Sequence, residues 1–364
     1  LNRFTAAATR PVSDVRRRPG WRGLGAFWAI LLIVLTGGGG ALQLLGPPAP
    51  PAPVAAPVRQ ITQAIPRPVR VVQPVAAPLA PEHRPGRDTP GPVADPDPAL
   101  LEPTSGTPAP LPRIADDGRM PMQLYAAGFD GSSRRPRVGL VLAGIGLNTR
   151  LSDQAIRTLP GGVTLAVSPY AADPSHLLTE ARMAEHEYLL SIPMEPESFP
   201  LNDAGDHALT TRASQEDNAQ QLVWAMSRFA GYVGATGALG LTRGERFAAA
   251  PADMEPVLLA LARRGLLYID PRPAQQVPGR LPQVWSRQVD LVIDEPDDAA
   301  AIEQKLAALT RIALQKGSAV GLAGAVRPVT LERIAAWANG LAEQGVALAP
   351  VSALVHPPAS AATQ

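Results

Sequence analysis

The segment RVGLVLAGIGLN, residues 137–148, contains the strand from which the fold of this chain is inferred. Its apolar run is nearly uninterrupted, as in a strand that is buried on both faces of a parallel sheet. The glycines near its carboxyl end predict a turn. At the point where such a strand reaches solvent stand Ala143 and Gly144, and neither carries a functional group. The segment therefore predicts a buried strand without chemistry at its end.

Further apolar runs alternate with segments of helical periodicity from about residue 135 onward. The predicted strands span residues 163–167, 188–192, 266–269, 291–293, 319–322 and 346–349. The predicted helices span residues 151–159, 174–186, 215–230, 252–264, 297–316 and 331–344. Gly265, Gly317 and Gly345 follow helices as left-handed terminating residues, and Ser214 is placed to cap the third helix. This alternation predicts parallel βαβ units that form a distorted or incomplete (β/α) barrel of the α/β class.

The composition narrows the class of protein. The 364 residues are enough for one or two domains, and the formal net charge of +1 gives no field that favours nucleic acid. We therefore expect no nucleic-acid partner. With 0 cysteines, disulfides and thiolate metal sites are excluded.

The amino-terminal region has the pattern of a membrane anchor. Residues 1–22 are rich in arginine, and residues 23–46 carry no charge. A stretch of this length is sufficient for a transmembrane helix, and the arginines place its amino-terminal side in the cytoplasm. We expect a single-pass anchor in the inner (cell) membrane and a periplasmic carboxyl-terminal domain. A cleaved signal peptide is the alternative, because residues 24–35 have the length of its apolar region.

Residues 47–134 are predicted to form a disordered linker rich in proline and alanine. Nearly half of the 41 prolines lie within residues 47–113, without helical or alternating period. Proline removes backbone donors and fixes φ, so the segment is expected to be extended and largely polyproline II. It is interpreted as a tether for a folded domain at residues 135–355, or as a docking segment for a partner's aromatic groove. Residues 356–364 are expected to form a tail.

Several short motifs follow the first strand in order: IPMEP (192–196), RGERF (243–247), LYID (267–270) and PVSAL (350–354). With the first strand, they resemble the divergent polysaccharide deacetylase family, relatives of the metal-dependent carbohydrate deacetylases, over about residues 136–355. The resemblance implies a barrel of deacetylase type and a role in carbohydrate metabolism. Polar family positions that this chain keeps are Glu195, Arg246, Asp270, Arg272 and Asp294.

The resemblance also implies a metal site, and the chain departs from the family at its ligand positions. The family's opening Asp-Asp pair corresponds to Ala143 and Gly144, and a later histidine corresponds to a position at or beside Thr242. A further histidine, from a Gly-His-Pro motif, has no counterpart in residues 321–326. The chain keeps the motifs of the family's fold but has other residues at the family's metal-ligand positions. This combination indicates a pseudoenzyme, for which no metal and no other cofactor is expected.

The histidines argue against zinc independently of the family. None of the 5 histidines belongs to an HxxxH or HxH pair, whereas a hydrolytic zinc site usually takes about three ligands from His and carboxylate. A divalent cation held by carboxylates stays open as an alternative, because Glu195, Asp270 and Asp294 supply oxygen ligands.

The candidate site residues are polar residues at predicted strand ends, where barrel enzymes place their chemistry, together with Arg246 from the family motif and Trp285 from its polar context PQVWSRQ. Glu195 and Asp270 are the candidate catalytic residues, although Glu195 has the alternative role of fixing its loop by accepting backbone N–H bonds. Asp270 and Arg272 are interpreted either as a sugar-binding pair or as an internal ion pair. The candidate ligand-binding residues are Arg246, Arg272, Asp294 and Trp285, the last as an exposed stacking surface or as core packing.

Three functions agree with this sequence. The first is a membrane-anchored, periplasm-facing protein that has lost deacetylation and binds a glycan or a peptidoglycan-associated envelope partner. The second is an active carbohydrate deacetylase or hydrolase that uses Glu195 and Asp270. The third is a structural envelope protein in which the proline-rich segment matters more than the barrel.

Overall fold

The computed structural model describes Trp28 and residues 86–89, 91–273 and 283–359. The chain divides into two compact units, residues 1–76 and 77–364. Only Trp28 is described in the first unit, so the predicted cytoplasmic segment and nearly all of the predicted span at residues 23–46 lie outside the described residues. Within the described part, no helix combines the length and the apolar character needed to cross a membrane. All that follows concerns the second unit.

The second unit is built on a nine-stranded parallel sheet. A separate antiparallel pair, β1 (Leu101–Glu102) and β2 (Leu111–Pro112), precedes it. The sheet strands are β3 (Arg137–Ile145), β4 (Val163–Val167), β5 (Tyr188–Ser191), β6 (Gly234–Thr236), β7 (Leu267–Asp270), β8 (Ser286–Gln288), β9 (Leu291–Val292), β10 (Ser318–Ala323) and β11 (Ala347–Leu348). Their order is β8-β7-β6-β5-β4-β3-β10-β9, and β11 pairs with the beginning of β3.

The first predicted strand, β3, lies in the middle of this sheet. Every residue of β3 after Arg137 is buried, because β10 and β4 flank the strand and apolar clusters cover both of its faces. On the β10 side, the register places Ala323 opposite Leu142. The apolar run from which the fold was inferred is therefore the central strand, as predicted.

The two ends of the sheet come from neighbouring parts of the chain. Strands β8 and β9 are separated only by Val289 and Asp290, yet β8 pairs with β7 and β9 pairs with β10. The Val289 N–H donates to the Asp270 carbonyl oxygen at 3.0 Å, and the Asp290 N–H donates to the Val320 carbonyl oxygen at 2.8 Å. The sheet is therefore curled into a half-barrel, which confirms the predicted incomplete barrel.

The large helices cover one face of the sheet, whereas the short helix α1 lies on the other, and all six predicted helices are present with shifted ends. The helices are α1 (Pro121–Leu124), α2 (Thr149–Thr158), α3 (Pro174–Met183), α4 (Gln215–Met226), α5 (Glu245–Ala248), α6 (Pro251–Arg263), α7 (Ala299–Lys316) and α8 (Pro328–Gly340). Ser214 caps α4 by accepting the Asp217 N–H at 3.0 Å, as predicted. Gly265, Gly317 and Gly345 have φ of 67°, 82° and 73°, the left-handed conformation expected of them.

The prediction of a disordered linker over residues 47–134 is wrong for residues 91–134. This part contains a 3-10 helix (Pro98–Leu100), β1, β2 and α1. Its buried side chains pack on the face of the sheet opposite the large helices, against an apolar cluster that also includes the carboxyl-terminal 3-10 helix (Val351–Leu354). The physical reason is that both faces of a parallel sheet need apolar cover. The covering side chains include Val93, Leu100, Met122 and Tyr125.

The predicted tail at residues 356–364 also begins with a paired residue. His356 and Ser286 of β8 exchange backbone hydrogen bonds of 2.9 and 3.0 Å. The side of β8 that faces away from β7 thus pairs with one residue of the carboxyl-terminal segment. Residues 360–364 lie outside the described part.

Candidate functional site

Three turns meet at the carboxyl end of the curled sheet, where the resemblance implies metal ligands. Gly144 lies near the end of β3, Gly240 lies in the loop after β6, and Gly324 follows β10. A Cβ atom added to Gly324 would lie 3.0 Å from the Gly240 carbonyl oxygen, and one added to Gly144 would lie 3.5 Å from the Gly324 carbonyl oxygen. Backbone atoms of the three turns therefore fill this junction.

The side chains at the junction do not fit a metal ion. Ala143 precedes Gly144 and Ala325 follows Gly324, and both carry only methyl groups, while the Thr242 hydroxyl donates to the Leu239 carbonyl oxygen at 2.8 Å. Among the residues with described positions, no group of three or more His, Cys, Asp or Glu is arranged to hold a cation. The donor set that the resemblance implies is therefore missing from this part of the sheet.

Glu195 lies in the loop that leaves β5 and is 1% exposed. Its Oε1 accepts from Arg246 Nη1 at 3.0 Å, and its Oε2 accepts from the backbone N and Oγ1 of Thr211, both at 2.8 Å. Burial acts to raise the pKa of Glu195, but the bonds from Thr211 and the charge of Arg246 outweigh it and lower the pKa below its ordinary value. These contacts agree with the interpretation that Glu195 fixes its loop.

Asp270, the last residue of β7, forms a buried bidentate pair with Arg272. Arg272 Nε and Nη2 donate to Asp270 Oδ1 and Oδ2 at 2.9 and 2.7 Å, and the Arg272 backbone N–H donates to Oδ1 at 3.0 Å. Burial acts to lower the pKa of Arg272, but the hydrogen bonds and charge of Asp270 outweigh it and raise the pKa. Of the two interpretations of Asp270 and Arg272, the structure shows the internal ion pair. Asp270 thereby fixes the orientation of the guanidinium group.

Asp294 lies beyond β9 and is 1% exposed. Its two carboxylate oxygens accept the backbone N–H groups of Gly324 and Ala325, both at 2.9 Å. Burial raises the pKa of Asp294, although these hydrogen bonds act to lower it. Asp294 thus holds the turn after β10. The three carboxylates that were candidates for a hard-cation site each have their own partners and do not form a metal-binding group within the described chain.

Arg246 and Arg272, both predicted to bind ligand, come together in the wall of an open cavity of about 430 Å³. The other lining residues are Glu197, Glu245 and Ala249. Glu195 and Asp270 hold the two guanidinium groups from outside the lining, and Arg246 Nη2 also donates to the Glu197 carbonyl oxygen at 2.7 Å. The cavity is therefore lined by oriented guanidinium donors beside carboxylate acceptors.

An arginine next to the cavity joins two glutamates. Arg243 Nε lies 3.2 Å from Glu245 Oε1, and Arg243 Nη1 lies 2.5 Å from Glu295 Oε1. The sequence reasoning did not identify Glu197 or Glu245 as cavity residues. The available signal was their position, since each lies one or two residues from a predicted site residue in MEPE or RGERF.

Trp285 does not belong to the cavity lining. It is partly buried and packs against the apolar cluster on the face that residues 91–127 cover. Its carbonyl oxygen accepts the Tyr268 N–H at 2.9 Å within the β7–β8 pairing. The structure thus places Trp285 in core packing, the alternative to an exposed stacking surface.

Comparison with known proteins finds similar chains. A solved structure of an uncharacterised protein from Agrobacterium tumefaciens C58 is 32% identical, covers 67% of this chain and 99% of its own, and superposes with a TM-score of 0.61. An uncharacterised protein from Haemophilus influenzae is 24% identical over 58% of this chain and 74% of its own length. The catalytic domain of a peptidoglycan N-acetylglucosamine deacetylase from Eubacterium rectale ATCC 33656 is 12% identical, covers 63% of this chain and 94% of its own, and has a TM-score of 0.36.

Residues 140–355 match the family described as divergent polysaccharide deacetylase. This range begins in β3 and ends just after the carboxyl-terminal 3-10 helix, so it contains the curled sheet, except the first three residues of β3, and the cavity. The resemblance inferred from the short motifs is confirmed. Because the match spans more than half of the 364 residues, the chain belongs to the divergent polysaccharide deacetylase family.

Proposed function

We propose that this protein has lost metal-dependent deacetylation and acts by binding a glycan, or an envelope partner that carries one. The observation that carries the proposal is the junction of Gly144, Gly240 and Gly324, where backbone atoms fill the place at which the family is expected to hold its metal. Family membership supports a carbohydrate ligand.

The contacts of the two candidate catalytic carboxylates also favour binding over hydrolysis. A general acid must carry a proton at the working pH, and the lowered pKa of Glu195 keeps its carboxylate ionised. Both oxygens of Asp270 accept hydrogen bonds from Arg272. In this arrangement, Glu195 and Asp270 are positioning residues that hold Arg246 and Arg272 toward a ligand.

The cavity has the size and polarity of a sugar site. Its volume of about 430 Å³ falls within the range of roughly 300–1,000 Å³ that is typical of small-molecule pockets. Hydroxyl groups both donate and accept hydrogen bonds, so they suit a wall in which guanidinium and carboxylate groups alternate. Ion pairs with the buried carboxylates of Glu195 and Asp270 fix Arg246 and Arg272 before binding, which reduces the entropy lost when a ligand arrives.

The amino-terminal sequence bears on where in the cell this protein acts. We infer that residues 23–46 anchor the chain in the inner membrane and that the cavity faces the periplasm. The uncharged stretch behind an arginine-rich segment supports this inference. We expect the full chain to sediment with membranes and to resist alkaline carbonate extraction, while protease added to spheroplasts degrades the domain. Release of the chain by carbonate would contradict a retained anchor.

Blocking the cavity tests the binding function. Ala249 is exposed, lines the cavity and has φ −80° and ψ −10°, which accommodate any side chain except proline. We expect Ala249→Trp to reduce co-sedimentation of the full chain with peptidoglycan or chitin by about tenfold, a loss of about 1.4 kcal/mol. The matched control is Ala252→Trp in α6, which is also exposed but lies outside the lining.

Two results would count against the proposal. If Ala249→Trp and Ala252→Trp bind glycan as well as the unmodified chain, the cavity is not the binding site. If the purified chain releases acetate from N-acetylated oligosaccharides in a reaction that a chelator stops, the junction retains the ancestral chemistry. Binding without acetate release is the result that we expect.

A further inference from the structure

The two guanidinium groups in the cavity wall are already neutralised. Arg246 forms an ion pair with Glu195 at 3.0 Å, and Arg272 forms one with Asp270 at 2.7 Å. Both carboxylates are buried, and the Arg272–Asp270 pair is screened less by solvent than the Arg246–Glu195 pair, because the side chain of Arg246 is 40% exposed and that of Arg272 is 11% exposed. The arginines therefore supply hydrogen-bond donors to the cavity without supplying an uncompensated positive charge.

Carboxylate groups outnumber guanidinium groups at the cavity. Within the described chain, Arg243 alone forms ion pairs with both Glu245 and Glu295. Glu197 also lines the cavity, and its carboxylate forms no ion pair with any residue that the structure describes. The charged lining residues and their ion-pair partners comprise three guanidinium groups (Arg243, Arg246, Arg272) and four carboxylates (Glu195, Glu197, Glu245, Asp270), which leaves one negative charge. Glu295, the second partner of Arg243, raises this excess to two.

We propose that this cavity selects glycan segments that carry protonated amino groups over acidic glycans. An ammonium group beside Glu197 and Glu245 would donate charge-assisted hydrogen bonds, while the sugar hydroxyls accept from Arg246 and Arg272. An acidic sugar would instead place its carboxylate beside two glutamates, and the repulsion between these like charges would weaken binding. The inference rests on the proposed glycan-binding function and names the class of glycan.

The test compares three oligosaccharides of equal length and different charge. The full chain in detergent is titrated calorimetrically with oligomers of glucosamine, N-acetylglucosamine and galacturonic acid, at a mildly acidic pH that keeps the amine protonated. We expect the glucosamine oligomer to bind about tenfold more tightly than the N-acetylated one at low salt. The galacturonate oligomer should bind most weakly, and added salt should reduce the differences.

A substitution at Glu197 separates charge recognition from glycan binding as such. Glu197→Gln keeps the shape of the side chain and removes its charge, so we expect it to lower the affinity for the glucosamine oligomer by much more than the affinity for the N-acetylated oligomer, which removes the preference. Glu216→Gln is the matched control, since Glu216 is exposed in the first turn of α4 and does not line the cavity. It should leave all three affinities unchanged.

The outcomes distinguish this inference from the proposed function beneath it. If none of the oligomers binds, the proposed function fails as well. If the neutral and cationic oligomers bind equally, or galacturonate binds best, glycan binding stands and the charge selection is wrong. A glucosamine preference that persists in Glu197→Gln would likewise overturn the role given to this carboxylate.

Discussion

Replacing Asp270 with alanine is expected to lower the free energy of unfolding by about 3–5 kcal/mol, because it leaves Arg272 charged, buried and unpaired. The side chain of Arg272 is 11% exposed and that of Asp270 is 4% exposed. The substitution also removes the acceptor of the Arg272 backbone N–H. Chemical denaturation of the wild-type and variant chains, with the slope of the transition compared, measures the loss.

A double substitution shows whether the unpaired charge is the cause. Asp270→Leu combined with Arg272→Met removes both charges and keeps side-chain volume, so we expect it to be less destabilising than Asp270→Ala alone. If the double variant is as unstable as the single variant, packing or the lost backbone hydrogen bond explains the effect. A loss below about 0.5 kcal/mol in Asp270→Ala would match an ordinary surface substitution and contradict the buried pair.

The centre of the fold could be predicted from the sequence, while two strands away from it could not. Strand β3 has an apolar run that is typical of a buried parallel strand. Strand β6 has only three residues and begins with Gly234, where a Cβ atom would lie 2.2 Å from the Leu267 carbonyl oxygen. Because β7 lies so close, only glycine fits at this position, although glycine is disfavoured in strands. Strand β8 has the polar sequence SRQ, which carries no apolar period.

The candidate site was predictable as a set of residues but not as a set of partners. Arg272 was identified because it follows a predicted strand, and Arg246 because the RGERF motif resembles the family, and the two do meet in one cavity. The pairing of Glu195 with Arg246 joins positions 51 residues apart, and periodicity carries no information on such a contact.

The ordered segment at residues 91–134 was missed for a related reason. Its proline content indicated an extended chain, and the apolar face that it covers exists only once the sheet has formed.

Glu187 is the buried carboxylate whose loss should destabilise this fold through unsatisfied hydrogen bonds. It is 0% exposed and accepts four hydrogen bonds, from the Ala127 N–H at 3.1 Å, the Thr164 hydroxyl at 2.9 Å, and the N–H and hydroxyl of Ser352 at 3.1 and 2.5 Å. Burial raises the pKa of Glu187, although these donors act to lower it. The side chain thereby joins the amino-terminal covering segment, β4 and the carboxyl-terminal 3-10 helix.

We expect Glu187→Ala to cost about 4 kcal/mol or more, because each of the four buried donors left without a partner costs roughly 1–3 kcal/mol. Denaturant unfolding measures the loss, and amide hydrogen exchange should show faster exchange at Ala127 and Ser352 than in the wild type. Glu180→Ala, an exposed position in α3, is the matched control and should change stability by less than about 0.5 kcal/mol. If Glu187→Ala leaves exchange at Ala127 and Ser352 unchanged, those amides have other acceptors in solution, and the carboxylate does not hold the two terminal segments on the sheet.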